Sequence, residues 1–424
     1  MLVALSVAMF ACFIYLLMSG RLTATNTLIL VPTVFALIGG FGFGIGDMVI
    51  KGIRTVSPTG VLLIFAMAYF MLMTDAGMFD PIVRRIVRAV RGDPVKVFLG
   101  TVALGYLVAL DGDGATVYVI VLSAFLPIYK RLGLSLPMVA CLLLQCTGIG
   151  NILPWGGPTA RAAAAMHVDL NDMFVPMVIP LLACVAWAFF MAWLFGTWER
   201  KRVGVIDIRF GDDTEAGANG WRFYFNWTLT TLLMLGLVMS WLPLAYMFMI
   251  ATAIALVVNF PTHKLQQERM AEHAPAILSV AMMLFSASVF IGILSETGMA
   301  SAIAKAIVTA IPASVGHSMA VVTALISIPM TWMVSNDVFY FGMLPILSEA
   351  ASHYGITSIE MARASLVGQP VHILSPLVAS TYLLVSMLDV DYGGTQKFTI
   401  KWSVASSLIM LAVSLLLGLI PLYR

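Results

Sequence analysis

Leu110-Asp111-Gly112-Asp113-Gly114-Ala115-Thr116 places two carboxylates and two glycines in the middle of an apolar segment running from about 95 to 130. Ionisable groups inside such a segment are costly in a bilayer and functional by default. Glycine permits a tight reversal with backbone open to a ligand, and carboxylates suit a hard cation or an exchangeable proton. The segment reads as a re-entrant hairpin with a polar tip. An EF-hand is excluded, because no third ligand or terminal Glu follows at the required spacing.

The surrounding composition supplies the membrane. Of 424 residues, 61% are hydrophobic and 10% charged, with a mean hydropathy of +0.98 and a net charge of +2. Soluble domains run at about 45–50% apolar and about 25% charged. Lipid leaves helices and closed barrels as the only spanning structures, and the apolar runs here are continuous rather than alternating, so helices are expected. Near-neutral charge argues against a nucleic-acid partner. Cys12, Cys141, Cys146 and Cys184 all sit in apolar runs without disulfide or metal-ligand spacing. The first run, Leu2 to Met18, has neither a basic region before it nor a small-residue cleavage site after it and reads as a retained span.

Simple spans are expected near 2 to 19, 27 to 45, 59 to 76, 173 to 196, 226 to 243, 246 to 260, 276 to 296 and 403 to 422. Four longer apolar segments are interrupted midway by Gly, Pro or acidic residues: 95 to 130, 134 to 167, 314 to 350 and 357 to 390. The first and third read as hairpins, the second and fourth as broken helices. If hairpin one enters from the cytoplasm, between Lys96 and the Lys130-Arg131 pair, most of the 23 Lys and Arg residues fall inside. That gives ten spans plus two hairpins with both termini outside. Arg84, Arg85, Arg88 and Arg91 mark an interfacial helix. The polar stretch 197–225 is expected as a cytoplasmic linker between a first membrane repeat, 1–196, and a second, 226–424.

Short matches relate the two halves. Asp75-Ala76-Gly77-Met78 returns as Glu296-Thr297-Gly298-Met299, 221 residues on. Leu126-Pro127-Ile128 returns as Leu344-Pro345-Ile346, Gly150 as Gly368 and Pro158 as Pro376, each 218 residues on. Five crossings per half is an odd number, so the second copy sits inverted. The expected fold is an all-α polytopic membrane protein, an inverted repeat of two five-crossing halves, each with a re-entrant hairpin and a broken helix. Such repeats with discontinuous helices mark secondary transporters, which bind substrate near the midplane where the breaks meet.

The remaining polar residues at the interruptions are the binding candidates. Hairpin two carries Val334-Ser335-Asn336-Asp337, oxygen ligands in type. Broken helix one reads Thr147-Gly148-Ile149-Gly150-Asn151-Ile152-Leu153-Pro154-Trp155-Gly156-Gly157-Pro158-Thr159-Ala160-Arg161. There a half-helix N-terminus can face an anion, Asn151 and Thr159 offer side-chain contacts, and the planar fork of Arg161 suits a carboxylate. Broken helix two carries Gly368-Gln369-Pro370-Val371-His372, whose imidazole suits substrate binding or proton coupling. Asp75 and Glu296 read as helix-end residues. Gly44-Ile45-Gly46-Asp47 matches the G-x-G-D of intramembrane aspartyl proteases, but no partner Asp on a neighbouring apolar helix accompanies it. A membrane enzyme is the reading from another class, and no nucleophile and base at recognisable spacing support it.

LDGDGAT, together with the downstream GNILPWGGPTARAA, the FDPIVRRIV segment, the GDP at 92–94 and the SND of hairpin two, resembles the citrate-metal-proton symporter family of the ion transporter superfamily. The resemblance runs over the whole chain. It implies proton-coupled uptake of citrate as its divalent-metal complex, with a metal of the Mg or Ca class travelling as part of the substrate and no resident cofactor. It also implies a homodimer and a multi-pass protein of the bacterial cytoplasmic (inner) membrane. By that similarity Thr116, Asn151, Thr159, Arg161, Ser335, Asn336 and His372 are substrate-binding, and Asp111, Asp113 and Asp337 serve the metal or the proton. The charges agree with this. A metal-citrate complex carries about −1, so two or more protons make uptake electrogenic, and a bound metal reverses the repulsion between acidic tips and a bare tricarboxylate. The rival of the same architecture is a sodium-coupled carrier of free di- or tricarboxylates.

Overall fold

The computed structural model describes residues 2–19, 21–90, 92–112, 114–205, 220–239, 241–302, 306 and 313–424, and these hold helices and no strand. The main helices of the first half are α1 (Leu2–Met18), α2 (Ala24–Ile38), α3 (Ile45–Asp75), α4 (Asp80–Val90), α5 (Pro94–Val108), α6 (Gly114–Leu132), α7 (Leu136–Gly150), α8 (Gly157–Met166), α9 (Leu170–Phe174) and α10 (Val178–Val203). Those of the second half are α11 (Trp221–Val238), α12 (Leu244–Asn259), α13 (His263–Glu296), α14 (Met319–Met333), α15 (Leu344–Ser352), α16 (Ser358–Ser365), α17 (Gln369–His372), α18 (Ala379–Leu388) and α19 (Tyr392–Leu416). Among the described residues, six helical stretches are long and apolar enough to cross a bilayer. Of the linker at 197–225, residues 206–219 lie outside the described residues.

Two helices are longer than hydropathy suggests. α3 has 31 residues and α13 has 34, so each begins well before the apolar stretch that marks it. Asp47, Lys51 and Arg54 on α3, and Lys264, Glu268, Arg269 and Glu272 on α13, depress the hydropathy of those turns without interrupting the helix. Both helices carry their charges at the ends.

α3 and α13 run antiparallel in backbone-to-backbone contact. A Cβ on Gly52 would lie 2.1 Å from the Ser288 carbonyl oxygen, and one on Gly292 would lie 2.3 Å from that of Met48. Small residues let membrane helices approach in this way, where packing rather than hydrophobic exclusion drives association. At one end Lys51 Nζ meets Glu296 Oε2 at 2.5 Å. At the other, Asp75 Oδ2 lies 2.8 Å from His273 Nε2 and 3.8 Å from Arg269 Nη1. From His273 to Glu296 the helix covers roughly 35 Å at about 1.5 Å per residue, close to the ~30 Å of a hydrocarbon core.

The interruptions fall where the Gly and Pro residues stand. α7 and α8 are separated by a turn in which a Cβ on Gly156 would lie 1.9 Å from the Asn151 carbonyl oxygen, so only glycine fits. In the second half, α16, a 3-10 turn (Leu366–Gly368) and α17 lead to a break before α18. Hairpin one pairs α5 with α6 through a 3-10 turn at Ala109–Asp111 and a left-handed Gly112 with φ of +78°. In the hairpin-two segment, α14 is followed after the Ser335-Asn336-Asp337 tip by a π-helical turn, Val338–Met343, that leads into α15.

Local features recur between the halves at separations of 221 or 222 residues. Left-handed glycines stand at Gly77 and Gly298 and again at Gly133 and Gly355. α8 and α18 have ten residues each, and they end on the two non-glycine residues of positive φ among those described, His167 (55°) and Asp389 (54°). Two residues on, Asp169 and Asp391 each cap the next helix with the side chain. The short sequence matches at 218 are one helical turn out of this register. A slip of four residues keeps a helix face pointing the same way, so apolar motifs survive it.

Candidate functional site

The interruptions converge. Trp155, in the break between α7 and α8, donates its indole N–H to the Leu110 carbonyl at 2.8 Å, and its ring stacks on Phe70 at 5.0 Å. The tip of hairpin one is thereby tied to broken helix one. Tyr118 of α6 and Thr147 of α7 share a hydroxyl–hydroxyl bond of 2.8 Å. A Cβ on Gly148 would lie 3.3 Å from the Pro370 Cα and from Ile373, so the two broken helices meet at their breaks. Between them lies a cavity of about 100 Å³ lined by Gly112, Gly114, Thr147, Asn151, His372 and Ser380 among others.

His372 is buried and its Nδ1 stands 2.5 Å from the Thr331 carbonyl oxygen. A carbonyl only accepts, so Nδ1 carries the proton, and a neutral ring keeps its Nε2 lone pair for another partner. The first turns of α8 and α18 have no side-chain cap, and Val378 and Ser380 at the start of α18 line the cavity. Uncapped N–H groups at a half-helix N-terminus favour a bound anion.

Beside this cavity is a charged latch. Arg161 Nε on α8 donates to Asp337 Oδ1 at the tip of hairpin two, 2.8 Å away, with both side chains largely buried. Nη2 of the same guanidinium reaches Met283 Sδ on α13 at 3.1 Å, between the two ends of that helix, where Glu296 pairs with Lys51 and Arg269 with Asp75. Next to Asp337, Asn336 Oδ1 accepts a bond of 3.0 Å from Gln369 Nε2, which also donates to the Tyr340 hydroxyl at 2.8 Å. Gln369 Oε1 is buried with no partner among the described residues. Gln369, bonded to Asn336 at that tip, stands on the same short helix as His372, which lines the cavity, so cavity and latch adjoin.

The candidates from sequence therefore separate by position. Asn151 and His372 line the cavity. Asp111 is buried at the hairpin-one tip beside it, while Asp113 lies outside the described residues. Arg161, Asn336 and Asp337 form the latch. Ser335 accepts the Val338 N–H at 3.4 Å and shapes the tip. Thr159 is fully buried and donates to the Ile152 carbonyl at 2.7 Å, across the break. Thr116 stands in the first turn of α6 and is not among the residues lining the cavity. Gln369, Tyr340 and Ser380 were not singled out from sequence. Gln369 had a signal, a buried amide beside Pro370 in the interruption of broken helix two.

This is the architecture of a multi-pass, all-helical membrane protein. The fold is similar to the solved structure of the YdaH transporter from Alcanivorax borkumensis, with a TM-score of 0.56 and 14% identity over 88% of this chain and 89% of that one. The family described as citrate transporter, CitMHS, matches residues 2–368, and the chain belongs to it. A citrate transporter of Bacillus subtilis is 47% identical over 99% of this chain and all of its own length. The Mg(2+)/citrate complex secondary transporter of the same organism is 42% identical over the full length of both. The chain is thus a transporter rather than an enzyme, and secondary transport of citrate is the activity its relatives support.

Proposed function

We propose that this protein takes up citrate as its complex with a divalent metal of the Mg or Ca class, together with protons, by alternating access. The observation that carries this reading is the Arg161–Asp337 pair. A citrate carboxylate replaces Asp337 on the guanidinium fork, and the metal of the same complex takes up the released Asp337 carboxylate. Neither free citrate nor a free cation supplies both charges, and a partly buried ion left without its partner is costly. In this reading Gln369 Oε1, which has no partner among the described residues, accepts from the hydroxyl of the ligand.

At about 100 Å³ the cavity holds roughly three waters at ~30 Å³ each, so admitting the complex requires the tips to part. The recurrence of turns, caps and helix lengths between the halves supports two inverted repeats, 1–196 and 226–424, which move against each other as the tips part. His372, with Asp111 and Asp113, carries the coupling proton in this reading. The protein works as a homodimer in the bacterial cytoplasmic membrane, in contact with lipid.

The test is uptake of radiolabelled citrate into proteoliposomes. Uptake is expected to need a divalent metal, to stop on addition of a chelator, and to follow a proton gradient. Uptake that needs sodium and ignores the chelator would replace this reading with sodium-coupled transport of free tricarboxylate.

A further inference from the structure

Two cavities lie away from the central site, of about 340 Å³ and about 330 Å³, and both are lined by Thr55 and His167, so they form one vestibule. Its walls are the first half of α3, the end of α13, the turn after α8 and the start of α12. Ligand pockets run from about 300 to 1,000 Å³. Each half of the vestibule reaches that range, and the central cavity does not.

The vestibule is also chemically open. Lys51 is engaged by Glu296 at 2.5 Å, whereas Arg54 on the next turn is exposed and makes no ion pair with a described residue. Asn171 lines the other half, and its Oδ1 is buried with no hydrogen-bond partner among the described residues. An unpaired buried acceptor costs free energy unless a ligand or water satisfies it. A guanidinium fork suits a carboxylate, and an amide oxygen suits a hydroxyl or a hydrated metal ion. Ala163 and Ala164, which line the same space, are on the helix that carries Arg161 to the latch.

We propose that this vestibule is a second binding site for metal-chelated polycarboxylates, which captures them before the central cavity opens. The proposal rests on the transport reading above and adds a site to it. With hairpin one entering from the cytoplasm, alternation of the spans puts the start of α3, and Lys51 and Arg54 with it, on the outer side, so in this reading the vestibule is the entry side.

Equilibrium binding of radiolabelled citrate with Mg²⁺ to the purified full-length protein tests it. Wild type is expected to show one tight and one weaker site. Arg161→Gln, and Asp337→Asn as a second central-site variant, should retain the weaker site alone, and adding Arg54→Gln or Asn171→Leu should remove it. In transport, Arg54→Gln should raise KM about fivefold, the scale of an exposed ion pair, with the maximal rate unchanged. The vestibule is refuted if folded Arg161→Gln and Asp337→Asn proteins bind no citrate, or if Arg54→Gln leaves their residual binding intact. A wild-type protein that neither binds nor transports citrate with Mg²⁺ would instead overturn the function proposed above.

Discussion

Thr159 and Thr381 make the same bond at the two breaks of the site. Thr159 donates to the Ile152 carbonyl at 2.7 Å, Thr381 donates to the Ile373 carbonyl at 2.5 Å, and both side chains are buried. Each hydroxyl reaches back across an interruption from the following half-helix and satisfies a carbonyl that the helix has released.

Replacing either threonine by valine keeps the shape and leaves that carbonyl unpaired. Thr159→Val and Thr381→Val are each expected to destabilise by about 1–3 kcal/mol, visible as a lower thermal midpoint in detergent, with KM for citrate little changed. A large KM effect confined to Thr159→Val would instead make that hydroxyl a substrate contact.

The Arg161–Asp337 latch separates packing from binding. Arg161→Gln and Asp337→Asn should each abolish metal-citrate uptake, and each should cost roughly 2–3 kcal/mol, below the full penalty for a buried pair because both side chains keep some exposure. The exchanged variant, Arg161→Asp with Asp337→Arg, restores opposite charges and should recover thermal stability without transport. Recovered uptake in the exchanged protein would mean the pair is structural only.

Trp155→Phe removes one hydrogen bond, to Leu110, while keeping an aromatic ring against Phe70 and Phe248. A net loss of about 1 kcal/mol is expected, with a larger proportional fall in uptake because the hairpin-one tip loses its tether. Parallel thermal-shift and uptake measurements would show whether the two effects separate.

Gly52→Leu and Gly292→Leu should prevent a monodisperse folded protein, since backbone rather than a movable side chain occupies the added volume. Gly46→Ala, on the same helix with nothing within 4 Å of the added carbon, is the control and should behave as wild type. Size-exclusion profiles of the three proteins decide it.

Much of this was legible from residue chemistry alone. Gly, Pro and acidic residues cannot continue an apolar helix, so LDGDGAT and GNILPWGGPTAR announced their interruptions, and the scarcity of charge made Arg161 and Asp337 conspicuous. Their partnership was not legible, because 176 residues separate them and a pairing at that range is set by packing. The early starts of α3 and α13 were hidden for a different reason. Hydropathy reports burial in lipid, whereas those turns are held by backbone hydrogen bonds that polar side chains do not disturb. Gln369 is less legible because an uncharged amide stands out less than a charge, although a buried one whose oxygen lacks a partner among the described residues is as demanding.

The ion pairs at both ends of α3 and α13 make the pair a ruler of fixed length. Lys51 with Glu296 and Asp75 with Arg269 must each remain at an aqueous boundary, and packed glycines prevent the two helices from sliding to adjust. A bilayer much thicker than the distance between the pairs would draw charge into hydrocarbon, and a thinner one would have to stretch or tilt the helices. Acyl-chain length is therefore a working variable for this protein, and transport should peak in lipids whose hydrocarbon thickness matches that ruler.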